Sequence, residues 1–484
     1  MSPLNKTGLK PHQFFTVAVG ASIGVGWIPL YGAWLTNAGS LGVAVAFLLG
    51  ALLMVFVAKG YIAVASRLSE SGGETMYAYT ILGKKIGFFT GWFLAFTYLA
   101  VCVFEALSIA LFSAELLPNL SGSVLYSILG HDVRVGTLAI SIISTAFMMF
   151  LHVRGIQTAA IFQDILTFLL LAFSLIFIIL GLSTGVVGNL NPMFVYQESG
   201  WRLGGMVSVF AAAPLLISGF NFSVQIIGDR ADGVGVASVA KSLFIAILAV
   251  GIFYVGLFVA AAMSLPREVL ISADLPVAAA FVEVFGSERF GDIIFLVAIL
   301  GLFTTWNAVL LGLNKILAVL SINGDIPKIF SSKSNQHDTY QASIQIVSLL
   351  TIVGVLGGQG MLTLIIGSAS VTMTAAYCVV MVCAITLCRW SGEKCSISLC
   401  VSFCIAFALF LIAVTEPFFV NPTIHLPITW SGILVWCGLG VILWLSSRFS
   451  EHATLNAGSV SDHLVGKKTL YIGKSEIVSK GNKV

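Results

Sequence analysis

Most ionisable residues of this chain lie between long apolar runs, so the few that lie inside them stand out. Glu105 is the clearest. It sits within Cys102-Val103-Phe104-Glu105-Ala106, 12 residues from one end of the apolar run 86–117 and 19 from the other. A carboxyl this deep in an apolar helix is costly and defaults to a functional candidate. It can pair with a substrate amine or hold a coupling proton; a hydrogen-bonded structural carboxyl is the alternative. Thr304 and Thr305, with Asn307 beyond, lie in the run 291–320. Adjacent hydroxyls can complete a Na+ site with carbonyls freed by a broken helix, or bond back to their own helix. Asp164 and Lys59 both lie in the cytoplasmic third of their runs, where they can pair or where Lys59 can simply snorkel.

The elements that would position such groups are interrupted helices. The first apolar run contains Gly20-Ala21-Ser22-Ile23-Gly24-Val25-Gly26, with Pro29 three residues on. Gly costs roughly 1 kcal/mol against Ala in a helix interior, and Pro about 3. A broken helix at membrane depth is tolerated only inside a bundle or against a cavity. The sixth run repeats the pattern with Pro214 and Ser218-Gly219-Phe220-Asn221. Paired interruptions in corresponding positions of two halves point to a transporter binding site; close packing through small residues is the bland alternative. The helix restarting near Gly26-Trp27 would offer free N–H groups to an anion such as a carboxylate. The half-helix ending near Ser218 would offer carbonyls to an ammonium group or cation. Donors at one break and acceptors at the other fit a zwitterionic amino acid. Phe220 would then cover the ligand, or serve as a core aromatic.

The 484 residues are 58% hydrophobic and only 9% charged, with a mean hydropathy of +1.02. Soluble chains are about a quarter charged. This composition defines an all-α polytopic membrane protein in contact with the lipid bilayer. Twelve runs are near the length a span requires: 13–36, 41–66, 86–117, 134–152, 156–183, 203–228, 238–264, 291–320, 341–357, 362–388, 396–415 and 428–447. An even number puts both termini on one side. Placing them in the cytoplasm puts nineteen Lys and Arg inside and only Arg134, Arg202, Arg267 and Arg289 outside, as the positive-inside rule demands. Residues 1–12 and 448–484 are then cytoplasmic tails, the second polar and without apolar periodicity. Eight Cys form no CxxC pair, and seven His show no HExxH spacing, so no metal site is indicated. Nothing in the charge pattern points to nucleic acid.

Five stretches in order resemble the amino acid–polyamine–organocation (APC) superfamily of permeases. They are GASIGVG in the first run, SGGETMYAY after the second, FQDILT in the fifth, GFN in the sixth and NKILAVLSINGDIPKIF after the eighth. The resemblance covers roughly residues 10–450. It implies a LeuT-type fold of twelve transmembrane helices. Two inverted five-helix repeats (13–183 and 203–388), with helices 1 and 6 broken, would be followed by two appended helices (396–447). It implies alternating access at the plasma membrane. The substrate carboxylate would meet Ser22, Gly24, Val25 and Gly26, and the amine the backbone near Ala21, Ser218 and Phe220. No cofactor is implied beyond a coupling H+ or Na+. The chain also departs from the family. Leu170 stands where many relatives carry a Lys tied to proton coupling, Ala63 replaces a common Glu, and Asn221 stands where several relatives have an acid. The acidic pair after helix 6 is reduced to Asp229 before Arg230. Glu105 is then the substitute coupling candidate, with Thr304 and Thr305 for Na+.

A membrane-embedded enzyme would need a cluster of nucleophile, base or metal ligands, and none is visible. A channel would show a repeated filter or polar stripe. A major-facilitator transporter would carry a long central loop, but only 229–237 separates the sixth and seventh runs. A secondary transporter of amino acids is the expectation. Polyamine or ethanolamine-like amines are the alternative substrates, with Glu105 as their partner.

Overall fold

A computed structural model describes residues 8–25, 27–128, 131–195, 204–273, 275–334, 337–419 and 430–445. Gly26, residues 1–7 and the tail after Leu445 lie outside the described residues.

The first apolar run folds as two helices, α1 (Pro11–Ser22) and α2 (Trp27–Ala38), separated at the glycine-rich stretch. Next come α3 (Ser40–Ala65), the short α4 (Gly73–Leu82) and α5 (Lys84–Leu116). Helices α6 (Val135–Val153) and α7 (Ile156–Thr184) follow. The sixth run is split again, into α8 (Gly204–Leu216) and α9 (Phe220–Gln225). Beyond it lie α10 (Val236–Ser264), α11 (Arg267–Ser272), α12 (Pro276–Phe285) and α13 (Glu288–Ile322). The described chain closes with α14 (Gln341–Val355), α15 (Gly360–Trp390), α16 (Ile397–Phe419) and α17 (Trp430–Leu445).

Eight described helices are long and apolar enough to cross a membrane: α3, α5, α6, α7, α10, α13, α15 and α16. The chain is thus a multi-pass membrane protein. Helix α7 illustrates why. Its best 18-residue window has a mean hydropathy of 2.9, yet only 28% of that window is buried. Ile165, Phe168, Leu175 and Ile179 face outward, which suits lipid and not water.

The architecture is not purely helical. Strands β1 (Val124–Ile128) and β2 (His131–Arg134) form an antiparallel hairpin between α5 and α6. The segment Val124-Leu125-Tyr126-Ser127-Ile128 is rich in β-branched and aromatic residues and too short for a stable helix. Tyr126 Oη donates to Leu356 O at 2.6 Å, which pins the hairpin to the end of α14.

Helix α1 lies at the centre, packed by α7, α9, α10 and α13, while α5 runs along α13. Aromatic contacts lock this frame. Tyr31 stacks on Phe258 at 4.9 Å and donates its hydroxyl to Phe258 O at 2.8 Å, fixing α2 to α10. Trp92 and Trp436 stack at 4.5 Å, and each indole N–H donates to the other residue's carbonyl at 2.9 Å. This reciprocal pair docks α17 onto α5.

Candidate functional site between the two helix breaks

Helix α1 makes its last regular bond from Ile23 N to Val19 O, and Ile23 then leaves the helix at φ −93, ψ 71. Helical bonding resumes with Ile28 N donating to Val25 O. Among the described residues the N–H groups of Gly24 and Val25 have no hydrogen-bond partner. A Cβ on Gly24 would touch only Thr305 Oγ1, at 3.8 Å, so there is open space beside this backbone. Unpaired donors next to free volume suit an anionic group.

The second break lies against the first. Ser218 and Gly219 separate α8 from α9, and Gly219 N–H donates to Ser22 Oγ at 3.0 Å. Ser22 Oγ in turn donates to Ala18 O at 2.8 Å, and Tyr254 Oη donates to Ser22 O at 3.0 Å. A Cβ on Gly219 would lie 2.4 Å from Ala18 O and 2.5 Å from Ser22 N, so only glycine permits this approach. Lower down, Ser223 Oγ donates to Phe14 O at 2.8 Å. At the foot of α1, Leu9 N donates to Asp229 O at 2.8 Å, and Ala231 N to Leu9 O at 2.9 Å.

The predicted residues divide into groups. Ser22 and Gly219 meet where the two breaks touch; Ala21, Gly24 and Val25 flank Ser22 along the first break, and Ser218 and Phe220 flank Gly219 along the second. Phe220 is fully buried, edge-on to Tyr61 at 5.3 Å. Thr304 and Thr305 approach the same break from α13. Both hydroxyls lie near Gly20 O, at 3.0 and 3.3 Å, and near Gly301 O of their own helix, at 2.8 and 3.0 Å. Ile23 O lies 2.9 Å from the Cβ position on Gly301. Carbonyls of the break and hydroxyls of α13 thus share one neighbourhood, which Leu170 borders with an apolar side chain. Glu105 is buried on α5, and its Oε2 has no partner; no hydrogen bond ties it to either break. Asp164 does not pair with Lys59. It accepts from Thr16 Oγ1 at 2.5 Å and lies 3.4 Å from His12 Nε2, while Lys59 sits over the Phe56 ring. Asn307 bridges His152, Gln163 and Ala159 O, and so holds α6, α7 and α13 together.

Asn221 leads to a cluster not anticipated from sequence. Gly72 and Gly73 have φ of +113 and +47, and Gly72 N donates to Gln225 O at 2.8 Å. A Cβ on Gly73 would lie 2.6 Å from Gln225 Cγ. These two glycines bring the start of α4 against α9 and bury Glu74 completely. Its Oε1 accepts from Tyr61 Oη at 3.0 Å and from Asn221 Nδ2 at 3.5 Å; Oε2 accepts from Gln225 Nε2 at 2.9 Å. Tyr98 Oη accepts from both amides, at 3.0 Å from Asn221 and 2.5 Å from Gln225. Burial pushes the Glu74 carboxyl above its ordinary range, against a backbone bond and the donors Gln225, Tyr61 and Asn221 that pull it back. The available signal was an acid inside the SGGETMYAY motif, in the connection between the second and third apolar runs. Near this cluster Lys315 meets Asp229 at 2.7 Å, and Ser71 Oγ donates to Asp229 at 3.0 Å.

Two interrupted helices thus meet at their breaks, through Ser22 and Gly219, within a multi-pass bundle. The sequence profile of the amino acid permease family matches residues 9–445, and the chain belongs to that family, within the APC superfamily. Similar proteins include an L-asparagine permease of Salmonella typhimurium, 24% identical over 78% of this chain and 75% of that protein. A methylthioribose transporter of Bacillus subtilis is 22% identical, over 93% of this chain and 94% of its own length. A branched-chain amino acid permease of Bacillus subtilis is 23% identical over 93% and 95%. These relatives are transporters, and this chain is a permease, not an enzyme.

Proposed function

We propose that this permease is a secondary transporter that moves amino acids across the plasma membrane by alternating access, as a symporter or exchanger. The observation that carries the reading is the pair of N–H groups at Gly24 and Val25 that have no partner among the described residues, with open space beside Gly24. They would take the substrate carboxylate, with the Gly26 backbone completing the set. The backbone near Ala21, Ser218 and Phe220 would take the amine. The names of the relatives, two amino acid permeases among the three, support this substrate class. In this reading the split runs one and six and the shorter α14 and α17 also cross the bilayer. They bring the crossings to twelve, arranged as two inverted five-helix repeats (13–183 and 203–388) plus two, with both termini cytoplasmic. Coupling would run through a proton on Glu105 or through Na+ held by Thr304, Thr305 and nearby carbonyls. Neutral oxygens of this kind suit a hard cation.

A thermal-shift screen of the purified protein against the common amino acids, polyamines and ethanolamine tests the substrate class. A ligand at a hundredfold excess over its Kd stabilises the fold by about 2.7 kcal/mol. A shift with α-amino acids supports the proposal. A shift with amines alone replaces it by transport of polyamine or ethanolamine-like amines, and a flat screen across all of them overturns both.

A further inference from the structure

Glu74 is fully buried and has no cationic partner among the described residues. The titratable groups that face it are phenols: Tyr61 from α3, Tyr77 from its own helix, Tyr98 from α5 and Tyr377 from α15. Its remaining partners, Asn221 and Gln225, lie on α9, which starts directly after the second break. A buried carboxylate without a counter-ion is the form that burial disfavours most. The cluster can also receive a proton. Asn221 Oδ1 and Gln225 Oε1 are buried acceptors without a donor. Turning either amide over presents that oxygen to Glu74, where it would accept the proton of a neutral carboxyl.

We propose that Glu74 is a proton-binding site that couples substrate movement to the proton gradient through Asn221 and Gln225 of α9. The proposal rests on the transport reading above, and it puts Glu74 in place of Glu105 as the proton carrier. The charge balance is simple: the carboxylate takes up one proton from the side where proton activity is high and releases it to the other. The neutral form has one O–H, so it would turn one of the two amides, Asn221 or Gln225, from donor to acceptor while the other still donates to the remaining carboxyl oxygen. That exchange repositions the half-helix beginning at Phe220, one residue beyond the break. Tyr61 reinforces the link, because it donates to Glu74 and packs edge-on against Phe220.

The test uses full-length protein in proteoliposomes, with a mixture of the radiolabelled common amino acids as probe. Accumulation driven by an inward proton gradient is compared with counterflow at equal pH. In Glu74→Gln the ratio of accumulation to counterflow should fall by about tenfold or more. An unchanged ratio overturns the proposal. So does loss of accumulation in Glu105→Gln with retention in Glu74→Gln, which assigns the proton to Glu105. Wild-type counterflow without proton-driven accumulation also overturns it and leaves the transport reading standing; absence of both overturns that reading as well. If Glu74→Gln does not fold, Glu74→Asp is used. It retains a titratable group at a new distance from Tyr61 and Gln225, so its accumulation should show a displaced pH profile, and an unmoved profile overturns the proposal.

Discussion

The backbone N–H of Gly219 donates to the hydroxyl of Ser22 at 3.0 Å, so the break in one interrupted helix is closed by a side chain from the other. Gly219→Ala should be severely disruptive. Its Cβ would press on Ala18 O at 2.4 Å and Ser22 N at 2.5 Å, both backbone atoms that cannot swing aside. Overpacking of this kind costs about 1–3 kcal/mol. Ser22→Ala removes the acceptor and leaves a buried N–H unpaired, also about 1–3 kcal/mol. Thermal unfolding in detergent checks both, with Gly219→Ala losing uptake as well.

Gly24→Val should behave in the opposite way. The added Cβ meets only Thr305 Oγ1, at 3.8 Å, and no left-handed backbone angle is involved. We expect a melting temperature close to wild type and a loss of ligand-induced stabilisation of roughly 2–3 kcal/mol at saturating ligand. Intact binding in Gly24→Val would remove this break from the substrate site.

Lys315 and Asp229 form a mostly buried pair at 2.7 Å, supported by Ser71. Lys315→Gln and Asp229→Asn should each lower stability by about 2 kcal/mol, since each strands a charged partner. The double variant should cost less than the sum of the two, and a double-mutant cycle reads that coupling. A cysteine at Leu9 should react faster with a thiol reagent in either single variant, because Leu9 is bonded to Asp229 and Ala231.

The raised carboxyl of Glu74 gives a signed pH dependence. A group whose native affinity for protons exceeds its unfolded affinity binds more protons when folded, so stability falls as pH rises through that window. The window opens near the ordinary value of 4.5 and extends upward. Wild type should therefore lose melting temperature with rising pH relative to Glu74→Gln. Parallel curves for the two proteins would show that Glu74 does not titrate in this window.

Much of this was legible in the sequence because the signals are local. Gly20 to Gly26 cannot sustain a helix, and the chain does leave it at Ile23 and resume at Trp27. The second break also lies where Ser218-Gly219 put it. Apolar length located α5, α7 and α10 to within two residues at each end. The Glu74 cluster was not legible, because its members come from α3, α4, α5 and α9 and only their packing assembles it. Pairing of Asp164 with Lys59 failed for the same reason: similar depth on two helices says nothing about which faces meet. The β1–β2 hairpin escaped because a five-residue strand leaves little periodicity between two long helices.

Helix α1 and the short α9, with the segments that flank them, are fastened at three heights: Leu9 before α1 to residues 229 and 231 beyond α9, Phe14 O to Ser223, and Ser22 to Gly219 just before α9. Three rungs between the two segments make a single strut. Neither half can swing alone without breaking a buried hydrogen bond. Any movement of α1 that keeps these bonds therefore carries the start of α9 with it, and the unpaired N–H of Gly24 marks where such a unit could bend away from α2.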